Sequence, residues 1–120
     1  MTRAVATVTA ALALLSAVPG EARAPGRLMA QADEYSLVLS RQSIVRGPAL
    51  LQFLNRGEDP HDLKLQRVGG SRVLSLPETR AGEIAHADLR LRTGTYRLWC
   101  SLPGHRALGM RAKLRVRRAR

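Results

Sequence analysis

Between Trp99 and Met110 the chain reads WCSLPGHRALGM, and no other stretch restricts the fold as strongly. It holds the only cysteine of 120 residues, one of three histidines and one of three methionines. Four residues separate Cys100 from His105, and four separate His105 from Met110. Pro103-Gly104 and Leu108-Gly109 fall just ahead of the histidine and the methionine. Bends at both places would bring thiolate, imidazole and thioether together from one continuous loop.

Such a donor set discriminates among metals. A thiolate with imidazoles and a more distant thioether suits copper in both oxidation states, because soft sulfur holds Cu(I) while imidazole remains acceptable to Cu(II). Structural zinc usually takes four strong ligands, and methionine is a poor one. The loop supplies a single imidazole, so a second must come from elsewhere. His61, in NRGEDPHDLKL, is the natural candidate.

The stretch GTYRLWCSLPGHRALGM, followed by RAKLRV and preceded by NRGEDPHDL, resembles the cupredoxins, the small type 1 blue copper proteins related to plastocyanin. The resemblance covers most of the chain beyond about residue 35. It implies an all-β, Greek-key sandwich or barrel, with one copper ion held by His61, Cys100 and His105 equatorially and by Met110 axially. It also implies a one-electron carrier rather than an enzyme. In two respects the sequence departs from plastocyanin. The spacing from cysteine to histidine is longer, as in rusticyanin, and Asp62 stands where an asparagine usually ties the two ligand loops together.

Other residues invite plainer readings. A lone cysteine in a small domain is more often a buried apolar residue than a ligand; here the spacing, the flanking turns and Pro60-His61 overturn that view. His86, in GEIAHADL, has no such support and should point to solvent from a strand. Met1 and Met29 carry no chemistry. Trp99, beside Cys100 but facing the other side of its strand, is expected to pack, with a route for an electron as the alternative. Tyr96, after Gly94-Thr95, is expected to bond its hydroxyl back to a nearby loop.

Taken in order, the chain opens with Arg3 and an apolar run from Ala4 to Val18, followed by Pro19, Gly20, Glu21 and Ala22. This is the pattern of a secretory signal over residues 1–22. The run is shorter than the roughly 20 apolar residues that span a bilayer. Cleavage after Ala22 is therefore expected, with an uncleaved anchor as the alternative and the only expected means of membrane association. Residues 23–34 read as a flexible leader. Residues 35–116 then give about seven short strands, including an alternating Leu51/Phe53 face within Ala49 to Asn55 and the half-buried pattern of Arg111 to Val116. The segment Leu76-Pro77-Glu78 reads as an irregular connection with one helical turn at most. Residues 117–120 form a basic tail.

One cysteine precludes an internal disulfide, so core packing and metal must stabilise this domain. The net charge of +11, mostly arginine, suits steering toward an acidic partner or an anionic surface. The expected partner is a redox protein docking near His105, and the expected protein is an exported monomer in the periplasm or cell envelope. Nucleic-acid binding is the charge-based rival. Against it stand the export pattern, the spread of arginines along the chain and the scarcity of aromatics, 3% of residues. Copper delivery without electron transfer shares the same ligands but favours a methionine-rich, open site. Oxygen or nitrite chemistry needs further histidines, and only His86 is left.

Overall fold

The computed structural model describes residues 1–13 and 23–120. Of the expected secretory segment, residues 14–22 therefore lie outside the described residues, and residues 1–13 form no helix or strand. Among the described residues, no helix is long and apolar enough to cross a membrane.

Nine strands follow, two more than the sequence pattern suggests. They are β1 (Gly26–Asp33), β2 (Ser36–Leu39), β3 (Ser43–Val45), β4 (Gly47–Asn55), β5 (His61–Arg67), β6 (Val73–Thr79), β7 (Ile84–Leu91), β8 (Gly94–Trp99) and β9 (Arg111–Arg117), with a single helical turn α1 (His105–Leu108) before β9. They build two facing sheets, ordered β2-β1-β4-β7 and β3-β9-β8-β5-β6. Most neighbours are antiparallel, but β1 runs parallel to β4 and β3 parallel to β9.

Alternation explains the core. Leu51 and Phe53 of β4, Leu63 and Leu65 of β5, Leu98 of β8 and Leu114 and Val116 of β9 all turn inward and are buried. Most of their neighbours in sequence are on the opposite face and more exposed, since side chains alternate along a strand. The hydroxyl of Tyr96 accepts from the backbone N–H of Arg92 at 3.0 Å, the loop tie expected of it. His86 is exposed on β7.

Two segments differ from their expected form. Residues 26–33 are not part of a flexible leader: they form β1, hydrogen-bonded on one side to β2 and on the other to β4. Leu28, Ala30 and Ala32 are buried on alternate positions. The pattern was weak because two of its three inward residues are alanines, which lie between sheets at close approach yet carry little hydrophobic signal. The Leu76-Pro77-Glu78 segment is strand β6 rather than a connection. Proline is tolerated there because β6 is an edge strand and because a bulge sits at that point, where the pairing shifts from Leu63↔Leu76 to His61↔Thr79.

If β1 is integral, removing residues 23–34 should abolish cooperative thermal unfolding, measured by calorimetry or circular dichroism. A true leader could be removed without such loss.

Candidate metal centre

The centre lies at the end of the sandwich where β5 begins and the β8–β9 connection crosses over. His61 and Leu63 alternate with Asp62 along β5, and all three are buried, Asp62 through its contact with Ser101. His61 opens β5, just after Pro60, and faces the loop that carries Cys100.

That loop is held at both ends. The backbone N–H of Cys100 donates to the carbonyl of Met110 at 3.1 Å, and the N–H of Met110 donates to the carbonyl of His105 at 3.1 Å. Gly104 (φ 80°) and Gly109 (φ 130°) make the two bends, in backbone conformations that L side chains avoid. A side chain at Gly109 would also meet the carbonyl oxygen of Tyr35 at 2.8 Å. The turns that the sequence places before the histidine and the methionine are therefore present, and they enclose α1.

The result is a convergence of donors. Nδ1 of His61 lies 3.2 Å from Nδ1 of His105, and Nδ1 of His105 lies 3.6 Å from Sγ of Cys100. All three donor atoms fall within 4.8 Å of one another. Cys100, His61 and Met110 are fully buried, whereas His105 is only half-buried. The four candidate ligands all sit at this end of the fold.

The surroundings orient these ligands. Asp62 accepts from both the backbone N–H and the hydroxyl of Ser101, the first at 2.6 Å. It ties β5 to the Cys100 loop as an asparagine would, because both partners are donors and an acceptor-only carboxylate suffices. Burial pushes the Cys100 thiol up from its ordinary pKa, while the backbone N–H groups of Leu102 and Asp62 act in the opposite direction. A cation would be the natural counter-charge for the buried thiolate. Asn55, at the end of β4, donates from its amide to the carbonyls of Asp59 and Thr79, each at 2.8 Å, and accepts from the N–H of Gly57. The loop before His61 is thereby pinned to the neighbouring sheet.

One participant was missed from sequence. Oε1 of Glu34 lies 3.0 Å from Nε2 of His61. The same carboxylate accepts from the backbone N–H groups of Glu58 and Asp59, which hold its pKa below the ordinary value. With Nε2 occupied by the carboxylate, Nδ1 of His61 is the nitrogen left to face Cys100 and His105. Glu34 fell within the assumed leader, and nothing in its local sequence announces a partner 27 residues away. Trp99, half-buried on β8, packs under the guanidinium of Arg106, 4.7 Å from the ring centroid.

The donor set passes a chemical test for copper. One thiolate, two imidazole Nδ1 atoms and a buried thioether form a soft, nitrogen-containing set with too few strong ligands for a closed zinc site.

No protein-family model matches the chain, and no curated relative is recognisable by sequence. Its structure does have counterparts. Dithionite-reduced auracyanin from Roseiflexus castenholzii superposes with a TM-score of 0.63 at 13% identity, covering 80% of this chain and 99% of that one. Auracyanin A, a "blue" copper protein from Chloroflexus aurantiacus, gives 0.57 at 17% identity over 77% and 100% of the two chains. Rusticyanin from Thiobacillus ferrooxidans gives 0.60 at 17% identity over 76% of each.

Replacing Asn55 by Ala leaves buried carbonyls and an N–H without partners, and should cost about 2–4 kcal/mol in urea unfolding with little change in slope. The chain folds as a cupredoxin, a two-sheet β-sandwich whose strand ends gather His61, Cys100, His105 and Met110 at one pole.

Proposed function

We propose that this protein binds one type 1 copper ion through His61, Cys100, His105 and Met110 and carries single electrons. The observation that carries the reading is the meeting of the two Nδ1 atoms and the thiol sulfur within 4.8 Å, on segments tied to separate strands. The auracyanin A it resembles is a blue copper protein, which supports the same reading.

Copper supplies a one-electron couple, Cu(II)/Cu(I). The protein's contribution is to keep its ligands in place whichever state is present. Cys100 and Met110 are braced by a backbone hydrogen bond between them, His61 by Glu34, and the two ligand segments by Asp62 and Ser101. Ligands held this way have little freedom to rearrange, so little solvent or protein motion accompanies the electron.

His105 is the only ligand of the four that reaches the surface, so we place the electron's entry and exit there. The rim is largely apolar. It includes exposed Pro103 and Leu108, and the Tyr35 ring edge-on to His105 with centroids 5.0 Å apart. A small apolar rim favours brief docking by a redox protein. Charge near it is mixed, with Arg106 on the same loop, Arg111 at the start of β9, and Glu34, Glu58 and Asp59 across from them. An acidic partner would therefore be received by those two arginines. Export to the periplasm or cell envelope, with a monomeric protein, completes the reading and rests on the N-terminal apolar segment.

Copper delivery without electron transfer fits the same ligands. Burial of three of the four argues for retention instead.

Adding Cu(II) to the purified protein should give an intense thiolate charge-transfer band that ascorbate bleaches and an oxidant restores. Cys100→Ser should abolish it, and Met110→Leu should keep a coloured site with an altered potential. Colourless bound copper would favour delivery. Glu34→Gln removes a negative charge from His61 and should raise the potential measured by spectroelectrochemistry, since Cu(II) gains more from that charge than Cu(I) does.

A further inference from the structure

The arginines are not spread evenly once the chain is folded. Strands β1, β4, β6 and β8 run toward the metal end, and β2, β5, β7 and β9 run away from it, so the outer end of the sandwich collects the opposite termini of the strands. Three shallow grooves lie there side by side. The first is lined by Arg23, Arg41, Arg46, Arg117 and Arg120. The second shares Arg23 and Arg46 and adds Arg67, Arg90, Arg92 and Arg118. The third shares Arg67, Arg90 and Arg92 and adds Arg72. Ten arginines thus form one continuous surface, and no aspartate or glutamate lines any of the three grooves.

The acidic residues are elsewhere. Of the nine in the sequence, Glu21 lies outside the described residues and Asp88 sits mid-strand opposite Leu50. The other seven, Asp33, Glu34, Glu58, Asp59, Asp62, Glu78 and Glu83, lie at or beside the strand ends of the metal pole. Among the described residues the only ion pair is that of His61 with Glu34, so the arginine pole is not neutralised from within. All of its arginines are exposed except Arg67, which is half-buried and donates to the carbonyl of Thr93.

We propose that this pole docks on a bilayer surface carrying anionic lipid headgroups, leaving the metal pole directed into solution. Three features select that occupant. The surface is broad, open and of one sign, matching a plane of phosphates better than a shaped cavity would. Arg23, the first described residue after the N-terminal apolar run, lies on this face, so that segment, where it is kept, is attached at the same surface. A redox protein bound here would sit a strand length from Cys100, roughly 25 Å for seven to nine residues at the usual rise, and electron tunnelling falls off exponentially over such a distance. Single-stranded nucleic acid would want exposed aromatic platforms, and the one aromatic lining these grooves, Tyr96, is 5% exposed. Only the orientation of the metal pole depends on the proposed copper function; the docking itself does not.

Vesicle co-sedimentation of the full chain tests this. Neutral phosphatidylcholine vesicles report what the apolar segment contributes, and vesicles with about 30 mol% phosphatidylglycerol add what the arginines contribute. Each arginine reaching the anionic surface should multiply partitioning about fivefold. The wild-type chain should prefer the anionic vesicles at least tenfold at low salt, a preference that collapses near 0.5 M salt, on the order of a 4 Å screening length. Replacing Arg41, Arg46, Arg90 and Arg92 together by Gln should lower partitioning onto the anionic vesicles about tenfold or more. Replacing Arg56, Arg80, Arg106 and Arg111, at the metal pole, should leave most of it. Equal loss in both variants would mean that net charge alone is read and would overturn the proposal, as would a wild-type chain without anionic preference. Release from the vesicles by an equal charge concentration of poly-aspartate would overturn it in favour of a soluble acidic partner. Thermal melting of each variant confirms that the sandwich persists.

Discussion

The metal pole depends on a tie between two segments far apart in sequence. Asp62, at the start of β5, accepts from the N–H and hydroxyl of Ser101, the residue after Cys100. These bonds hold the start of β5, with His61, against the segment that carries Cys100. The remaining pieces follow from that contact, since His105 and Met110 are then placed by the geometry of a single short loop.

Around this tie the molecule builds a second layer with the same purpose. Asn55 locks the loop ahead of His61 to β6 and to itself, and Glu34 closes the outer side of the His61 ring. A buried asparagine with its amide fully used is worth retaining because any one lost bond leaves a desolvated group without a partner. The hairpin between β1 and β2 contributes twice, since Glu34 meets His61 and the carbonyl of Tyr35 packs against Gly109. A segment that looked dispensable is therefore part of the wall of the site. The charge distribution adds a further asymmetry, with carboxylates grouped near the four donor residues and arginines at the far end.

Much of the site was legible because its residues are close in sequence and chemically uncommon. Cys100, His105 and Met110 sit within eleven residues, and the glycines between them occur where the backbone takes positive φ. The final strand was equally clear, since Leu114 and Val116 alternate with charged residues over a whole element. By contrast, β1 was obscured by its alanines and β6 by Pro77. Each looked unlike a strand by local preference, and each is one because of what lies beside it: β1 between two partners, β6 at an edge with a bulge.

The sequence by itself determined which atoms could bind a metal and that the chain would be built of short strands, because donor chemistry and side-chain alternation are properties of the residues alone. Tertiary structure decided which nitrogen of His61 faces inward, that Glu34 supports it, and that scattered arginines form one surface. Those facts arise from strand order and direction, which bring together residues separated by dozens of positions, and no local pattern encodes such a meeting.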